Sequence, residues 1–344
     1  MESLIAVNAD IAKDYIIRCM KNNLTCFIQS EPGIGKSSIV KEIANEFNFE
    51  LIDVRLSTCD VTDLSGLPHF TNDGKAYFAP FNCFPIEDTP LPEGKKAWIL
   101  FLDEFNGANR AVQLASYKLV LDRQVGQFKL HPKCFIVCAG NRAEDRAITN
   151  EIGTAMRSRL VHINMKVDFN IWFKNVAMRH TYDPRIIAFL QAYPTKLMVF
   201  EPESENQTFP CPRTWQMVNS LIKNEKDLNK IFNLIAGTIG MGTTSDFLAF
   251  IEIMNEVPTY EDIINNPNIE PPKQLSYQWA SLCLVLEHIK KEDIKKVLNY
   301  INKFPKSMIA MFIKYLCKKD ITYAMEPEIS QQLINLSQYL QKYE

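Results

Sequence analysis

The chain has no long apolar run and no excess of one charge. Its 344 residues contain no apolar stretch near the ~20 residues that a membrane-spanning helix needs. Residues 1–10 lack the basic and apolar blocks of a secretory signal, so a secreted protein is not expected and no membrane contact is predicted. The net charge of −2 gives no general attraction to nucleic acid, which is therefore an unexpected partner.

Cysteine and histidine occur in patterns that argue against metal and disulfide sites. The nine cysteines are an odd number and include no Cys-x-x-Cys pair, and the five histidines are scattered without ligand spacing. A metal site built only from protein side chains is therefore not expected. Free thiols are typical of a reducing compartment, and we predict a cytoplasmic location.

One segment has the pattern of a phosphate-binding loop. The apolar run 25–29 is followed by Ser30-Glu31-Pro32-Gly33-Ile34-Gly35-Lys36-Ser37-Ser38, and residues 37–47 then have apolar positions at helical spacing. Strand, loop and helix thus occur in the order of a P-loop. In such a loop, glycines let backbone N–H groups turn toward phosphate oxygens, and the new helix offers its positive end.

Each residue of this loop has a predicted role with ATP. Lys36 would neutralise the β- and γ-phosphates, and the Ser37 hydroxyl would ligate Mg²⁺. Ser30 stands where the first glycine is usual, and we interpret this as a variant of the loop, because that position does not require glycine angles. The predicted nucleotide contacts are Pro32, Gly33, Ile34, Gly35, Lys36, Ser37 and Ser38.

Two carboxylates follow a second apolar run. Residues 98–102 end in Asp103 and Glu104, and open α/β sheets bind ligands at the carboxyl ends of their strands. Acidic residues after a strand are common, but together with the P-loop this pair is typical of a Walker B motif. We predict that Asp103 holds the Mg²⁺ water shell and that Glu104 polarises the attacking water.

Asn141 follows the apolar run 134–139 through Gly140. If that strand is a neighbour of the strand ending at Asp103, the amide would lie beside Glu104, where it could orient water and sense the γ-phosphate. The alternative is that Asn141 only caps the turn that follows.

The periodicity predicts alternating helices and strands in the first half of the chain. A helix at 8–23 and strands at 49–56, 97–102, 134–139 and 161–164 indicate a parallel sheet covered by helices. Two hairpins are expected, at 67–79 and 124–133, and after about residue 165 the pattern is helical. The first hairpin region is rich in aromatic residues that either grip a substrate or form a small local core: Phe70, Tyr77, Phe78 and Phe81.

Several segments together resemble the AAA+ ATPases of the MoxR type, which have an insertion hairpin in the second helix. The resemblance covers most of the chain, and its specificity comes from the order and spacing of the segments. They are Glu31-Pro32-Gly33-Ile34-Gly35-Lys36-Ser37-Ser38, Asp63-Leu64-Ser65-Gly66-Leu67-Pro68, Leu102-Asp103-Glu104-Phe105-Asn106, Leu119-Val120-Leu121-Asp122-Arg123, Ala139-Gly140-Asn141-Arg142-Ala143-Glu144-Asp145-Arg146, Arg157-Ser158-Arg159-Leu160, Ile171-Trp172, Cys211-Pro212-Arg213-Thr214-Trp215 and Phe247-Leu248-Ala249-Phe250.

The resemblance implies further site residues. It assigns Asn141 as the sensor of the γ-phosphate, Arg159 as the finger that reaches a neighbouring subunit's nucleotide, and Arg213 as a second sensor in a helical lid. Arg157 is the rival for the finger. An arginine just before the predicted strand 161–164 would lie at the edge of the sheet, where it can stabilise charge on another subunit's phosphates.

The expected fold is an α/β protein with an αβα P-loop AAA+ core, followed by an all-α lid and a helical C-terminal region. The corresponding domains are 1–165, 166–240 and 241–344. The resemblance implies an ATP-hydrolysing, chaperone-like homo-oligomeric ring, a hexamer, which remodels a protein partner. In this family the partner often carries a von Willebrand factor A domain. Two alternatives are a nucleotide-dependent assembly switch and a DNA-directed AAA+ motor, the latter disfavoured by the near-neutral charge.

Overall fold

The computed structural model describes residues 5–145, 150–180, 182–253, 256–266 and 268–336. The chain divides into two compact units, one comprising 1–167 and 201–204 and the other 168–200 and 205–344. The predicted boundary at residue 165 lies close to this division. The two units do not separate 166–240 from 241–344, and the three-domain division stays a prediction.

The first unit is built on a parallel sheet of five strands, in the spatial order β2 (Phe49–Arg55), β5 (Ala97–Asp103), β8 (Cys134–Asn141), β1 (Cys26–Ser30) and β9 (Val161–Asn164), together with two antiparallel hairpins. This confirms the predicted parallel sheet. The strands are β1 (Cys26–Ser30), β2 (Phe49–Arg55), β3 (Leu67–Phe70), β4 (Ala76–Ala79), β5 (Ala97–Asp103), β6 (Gln124–Val125), β7 (Phe128–Lys129), β8 (Cys134–Asn141) and β9 (Val161–Asn164).

Helices cover both faces of this sheet. The Asn8 side chain accepts a hydrogen bond from the backbone N–H of Ile11 and caps the first helix. A π-helical turn, Lys118–Asp122, continues the fourth helix. The helices are α1 (Ala9–Lys21), α2 (Lys36–Phe47), α3 (Val61–Ser65), α4 (Arg110–Tyr117) and α5 (Thr154–Arg157), with 3₁₀ turns at Leu56–Thr58, Phe105–Gly107 and Ala143–Asp145.

The alternation of side chains along the buried strands creates one core on each face. Ile16 of α1 and Ile43 of α2 belong to one buried cluster with Phe101 of β5. On the opposite face, Val112 of α4 belongs to a second cluster with Leu100 of β5. Because both faces are covered, β5 is buried along its whole length and reads in the sequence as a continuous apolar run.

The two hairpins occur where turn residues interrupt the pattern. β3 pairs with β4, and β6 pairs with β7. Phe70 is 72% exposed and Phe78 is 49% exposed, so a local core is the wrong interpretation for these two side chains. Tyr77 instead packs against His69 and Phe128, with ring centroids 5.1 and 6.0 Å away. The aromatic residues of this region therefore have different environments.

The second unit is helical in its described part, as expected. An aromatic cluster of Phe189, Trp215, Phe247 and Phe250 forms part of its core. Its helices are α6 (Phe169–Trp172), α7 (Pro184–Ala192), α8 (Pro212–Leu221), α9 (Phe232–Ile239), α10 (Met241–Ile253), α11 (Tyr260–Asn265), α12 (Leu275–His288), α13 (Ile294–Ile301), α14 (Lys306–Lys319) and α15 (Pro327–Asn335), with a π-helical turn at Phe173–Ala177 and 3₁₀ turns at Pro194–Leu197, Leu228–Ile231, Lys291–Asp293 and Ile321–Met325.

Two further observations bear on the sequence analysis. All nine cysteines are free thiols, as the odd number and the spacing suggested. Within the described ranges, no helix is both long enough and apolar enough to cross a membrane.

Candidate functional site

The P-loop connects the end of β1 to the start of α2. Gly33 has φ 81° and Gly35 has φ 106°, a region of backbone conformation that favours glycine. These two angles turn the chain so that α2 begins directly at Lys36, with Gly35 as its N-cap. Pro32 and Ile34 lie in the loop, and Ser37 and Ser38 lie in the first turn of the helix. The positive end of α2 therefore faces the site where phosphate is expected.

Ser30 is compatible with this loop and contributes to it. Among the described residues, the non-glycine positions with positive φ do not include Ser30, so glycine is not required there. The Ser30 side chain is buried, and the ammonium group of Lys36 donates to its hydroxyl oxygen at 2.9 Å. Lys36 also donates to the carbonyl oxygens of Ser30 at 3.3 Å and of Glu31 at 3.4 Å. The serine thus provides an acceptor that glycine lacks.

A serine hydroxyl and a carboxylate meet at the same edge of the sheet. The Ser37 hydroxyl donates to Asp103 Oδ2 at 3.0 Å, and Asp103 is 9% exposed. Partial burial raises the pKa of the Asp53 carboxyl on the adjacent strand β2, and the charge of Asp103 adds to this effect against the opposing Arg55. Hydroxyl and carboxylate oxygens suit Mg²⁺, which would also relieve the repulsion between these acids.

Asn141 lies at the end of β8, in register with Ser30 at the end of β1. The ammonium group of Lys36 donates to the Asn141 side-chain oxygen at 2.9 Å. β8 also pairs with β5, as the predicted placement beside Glu104 required. The structure therefore brings the predicted sensor amide into direct contact with the P-loop lysine.

Glu104 follows β5 in a left-handed conformation, with φ 52° and ψ 37°. Its carboxylate accepts a hydrogen bond from the Ser57 hydroxyl, and its Oε1 atom lies 3.6 Å from Arg55 Nε. Both partners come from β2 and the turn after it. In this conformation both carboxylate oxygens are engaged by protein groups. Ser57 and Arg55 were not predicted as site residues, because only the pairing of β2 with β5 brings them to Glu104.

Asn106 is another site residue that the sequence analysis did not single out. Its side-chain NH₂ donates to the backbone carbonyl of Asn141 at 2.7 Å, and its backbone carbonyl accepts from the backbone N–H of Asn150 at 2.6 Å. Asn106 is 5% exposed. It therefore connects the segment after Glu104 with the end of β8. The only signal in the sequence is its place in the run Leu102-Asp103-Glu104-Phe105-Asn106.

Gly140 is tightly enclosed by this connection. A Cβ atom at position 140 would lie 2.0 Å from the side-chain oxygen of Asn106 and 3.0 Å from the Phe27 ring. We expect Gly140→Ala to lower the free energy of unfolding of the first unit by about 1–3 kcal/mol, because both neighbours would have to move. Urea unfolding followed by circular dichroism measures this effect.

The matched control is Gly237→Ala on α9, where a Cβ would meet nothing within 4 Å. This substitution should be neutral or stabilise by up to about 1 kcal/mol, the helix propensity difference. Adding Asn106→Ala to Gly140→Ala should recover part of the loss, because the two residues are in contact. Equal stability of Gly140→Ala and the wild type would contradict the close packing described above.

The two finger candidates lie near the start of β9, which is the edge strand of the sheet. Arg157 Nε donates to the Ile152 carbonyl at 2.7 Å, and the exposed Arg159 donates to the Ala155 carbonyl at 3.0 Å. β9 pairs in parallel with β1, so these arginines lie at the amino-terminal ends of the two strands, whereas Lys36 follows the carboxyl end of β1. Since β1 has five residues, its two ends are about 16 Å apart. The position fits contact with a different subunit.

Arg213 lies in the first turn of α8 in the second unit, where its side chain is exposed. Cys211 is the N-cap and Pro212 occupies the first helical position, a common place for proline. The role of Arg213 as a second sensor stays a prediction. Arg146, the last residue of one resembling segment, lies outside the described residues.

Residues 26–165 match the profile of the family described as "ATPase family associated with various cellular activities (AAA)". No curated relative matches the sequence. Similar solved structures include NtrX from Brucella abortus, with 15% identity, coverage of 100% of this chain and 69% of that chain, and a TM-score of 0.40.

A RuvB variant from Thermotoga maritima has 15% identity, coverage of 82% of this chain and 84% of that chain, and a TM-score of 0.36. Both TM-scores are below 0.5. The matched range contains the P-loop, the acidic end of β5 and the polar end of β8 on one parallel sheet. Residues 26–165 are therefore similar to the AAA ATPase family over the range that contains these groups.

Proposed function

We propose that this protein hydrolyses ATP in the presence of Mg²⁺ and uses the reaction to remodel a protein partner. The observation that carries the proposal is the convergence of two contacts at one edge of the sheet. Ser37 meets Asp103, and Lys36 meets Asn141. These pairs combine the groups that a phosphoryl transfer needs, namely a metal position, a phosphate-neutralising cation and a polar sensor.

The residue roles in this proposal are those predicted from the sequence, and the contacts described above support them. Lys36 and the N–H groups of the loop would hold the phosphates, and Ser37 with Asp103 would hold Mg²⁺ and its water. Glu104 polarises the attacking water once it leaves Ser57 and Arg55. Mg²⁺, when bound, supplies positive charge to the β- and γ-phosphate oxygens.

Steady-state phosphate release from Mg-ATP tests this proposal directly. Hydrolysis that stops when Mg²⁺ is removed by a chelator supports it. A protein that binds ATP but releases no phosphate above background, with or without partner proteins, would contradict it and would favour the assembly switch.

We further propose that the chain works as a homo-oligomeric ring of the MoxR type, with Arg159 of one subunit beside the nucleotide of the next. The position of Arg159 at the edge opposite its own P-loop supports a role between subunits. Such head-to-tail contacts either close into a ring or continue as a filament. The hexamer, the von Willebrand factor A partner and the cytoplasmic location rest on the sequence resemblance and composition.

Mg-ATP is expected to drive assembly of the Glu104→Gln variant, since a nucleotide contacted by two subunits favours the assembled state by mass action. Static light scattering at micromolar protein, with and without Mg-ATP, measures the mass. Lys36→Ala is the control and should stay at the mass found without nucleotide. A Glu104→Gln protein that remains monomeric in saturating Mg-ATP would rule out the ring.

One observation favours the assembly switch as a second candidate. The carboxylate of Glu104 is engaged by Ser57 and Arg55, which would slow basal turnover and allow ATP to be held. In that case, ATP binding itself would change the oligomeric state, and hydrolysis would only reset it. Strong stimulation of hydrolysis by a partner protein would argue against the switch.

A further inference from the structure

Arg142 connects the P-loop to the segment after β8. Its terminal guanidinium nitrogen lies 2.6 Å from Glu31 Oε1 and 2.9 Å from Asp145 Oδ1. Glu31 and Arg142 each follow a residue of the in-register pair Ser30 and Asn141. The contact therefore lies one residue beyond the end of the sheet, next to the contact between Lys36 and Asn141.

The arginine is held from several directions. Its Nε donates to Asp145 at 3.2 Å, and its backbone N–H donates to Asp145 Oδ2 at 3.2 Å. The Asp145 backbone N–H returns a bond to the Arg142 carbonyl at 3.1 Å. The Asp145 side chain is only 1% exposed, so its charge depends on Arg142 for compensation. Arg142 is thus bound to Asp145 within its own turn and also contacts Glu31 of the P-loop.

We propose that Arg142 is a positioning residue for the phosphate site, an inference that rests on the proposed ATPase function. Its contact with Glu31 holds the end of β8 against the P-loop, and this fixes the distance between Asn141 and Lys36. Its terminal nitrogen already contacts two carboxylates, so the role proposed is positioning and not direct phosphate binding. The planar guanidinium can bridge both acids, whereas a lysine ammonium is a point charge.

Glu31→Gln is the most direct test, because it removes the ion pair between Arg142 and the P-loop and leaves the ion pair between Arg142 and Asp145. We expect kcat to fall by about 10- to 100-fold through misplacement of Asn141, with KM changed by less than about threefold. In the Glu104→Gln background, the preference for ATP over ADP should also fall by about tenfold, because the sensor is displaced. Fluorescent-nucleotide competition measures this preference without turnover.

Arg142→Gln should change the same quantities, and the Glu31→Gln/Arg142→Gln pair should add no further loss in kcat, since both act through one contact. Arg142→Lys should give an intermediate value. Glu144→Gln, at an exposed carboxylate of the same turn, is the matched control and should behave as the wild type. If Arg142→Gln does not fold because Asp145 is left unpaired, Glu31→Gln alone decides the question.

The outcomes separate this inference from the proposed function. Unchanged kcat and unchanged ATP preference in Glu31→Gln, while the wild type hydrolyses ATP, would overturn the positioning role. A raised KM with normal kcat would also overturn it, because that pattern indicates direct binding. Absence of hydrolysis in the wild type would contradict the proposed function, and the nucleotide preference would still test Arg142.

Discussion

Replacement of Glu104 by glutamine is expected to lower kcat for ATP hydrolysis by about 10²- to 10⁴-fold, the usual contribution of a general base. Glutamine keeps the size of the side chain and a hydrogen-bond acceptor for Ser57, but it cannot take up a proton from water. ATP affinity should change little, since the phosphates are held by Lys36 and the loop. Phosphate release and nucleotide titration measure the two quantities separately.

Lys36→Ala, unlike Glu104→Gln, should lose ATP binding, because it removes the cation that neutralises the phosphates. Its contacts with Ser30 and Asn141 would be lost as well. Glu87→Gln, at an exposed carboxylate of the same unit, is the matched control and should leave both ATP affinity and kcat unchanged.

Near-normal hydrolysis by Glu104→Gln would show that Glu104 is not the catalytic base.

The Arg159→Ala variant is expected to fold and bind ATP but to hydrolyse it about 10³-fold more slowly, the lower end of the effect of an arginine finger. The physical reason is the opposite placement of Arg159 and Lys36 on the sheet. A side chain at the start of β9 cannot cross the length of β1 to its own P-loop, but it can stabilise transition-state charge on a neighbour's nucleotide. Single-turnover phosphate release measures the chemical step.

Mixing Arg159→Ala with Glu104→Gln distinguishes action between subunits from action within one subunit. In mixed rings some interfaces combine an intact Glu104 from one chain with an intact Arg159 from its neighbour, so part of the activity should return. Arg157→Ala is the comparison, because Arg157 is anchored to the Ile152 carbonyl. If mixed rings form and no ratio restores activity, Arg159 acts within its own subunit or only in folding, and Arg157 becomes the stronger candidate.

Local patterns in the sequence were sufficient for much of the first unit. The buried strand β5 reads as an unbroken apolar run, and the P-loop follows from its glycines and the helix after it. These signals are strong because each depends on neighbours in the chain. The predicted strands and the capped first helix differ from the observed ones by no more than about two residues, the usual uncertainty at element ends.

The environment of the aromatic hairpin residues was not predictable in the same way. Phe70 and Tyr77 both lie on the first hairpin and both are aromatic. Tyr77 is covered because Phe128 of the second hairpin packs against it, whereas Phe70 stays exposed. The difference depends on a contact between two hairpins that are distant in the sequence, and no local pattern encodes it.

The sequence by itself determined the chemical inventory of the site, namely the P-loop, Asp103 with Glu104, and Asn141, since each motif is continuous in the chain. Only the tertiary structure decided how these groups pair. The strand order places Asn141 against Lys36, brings Ser57 and Arg55 to Glu104, and joins Arg142 to Glu31. The physical reason is that parallel strands place the residues at their carboxyl ends side by side, whatever their separation in sequence.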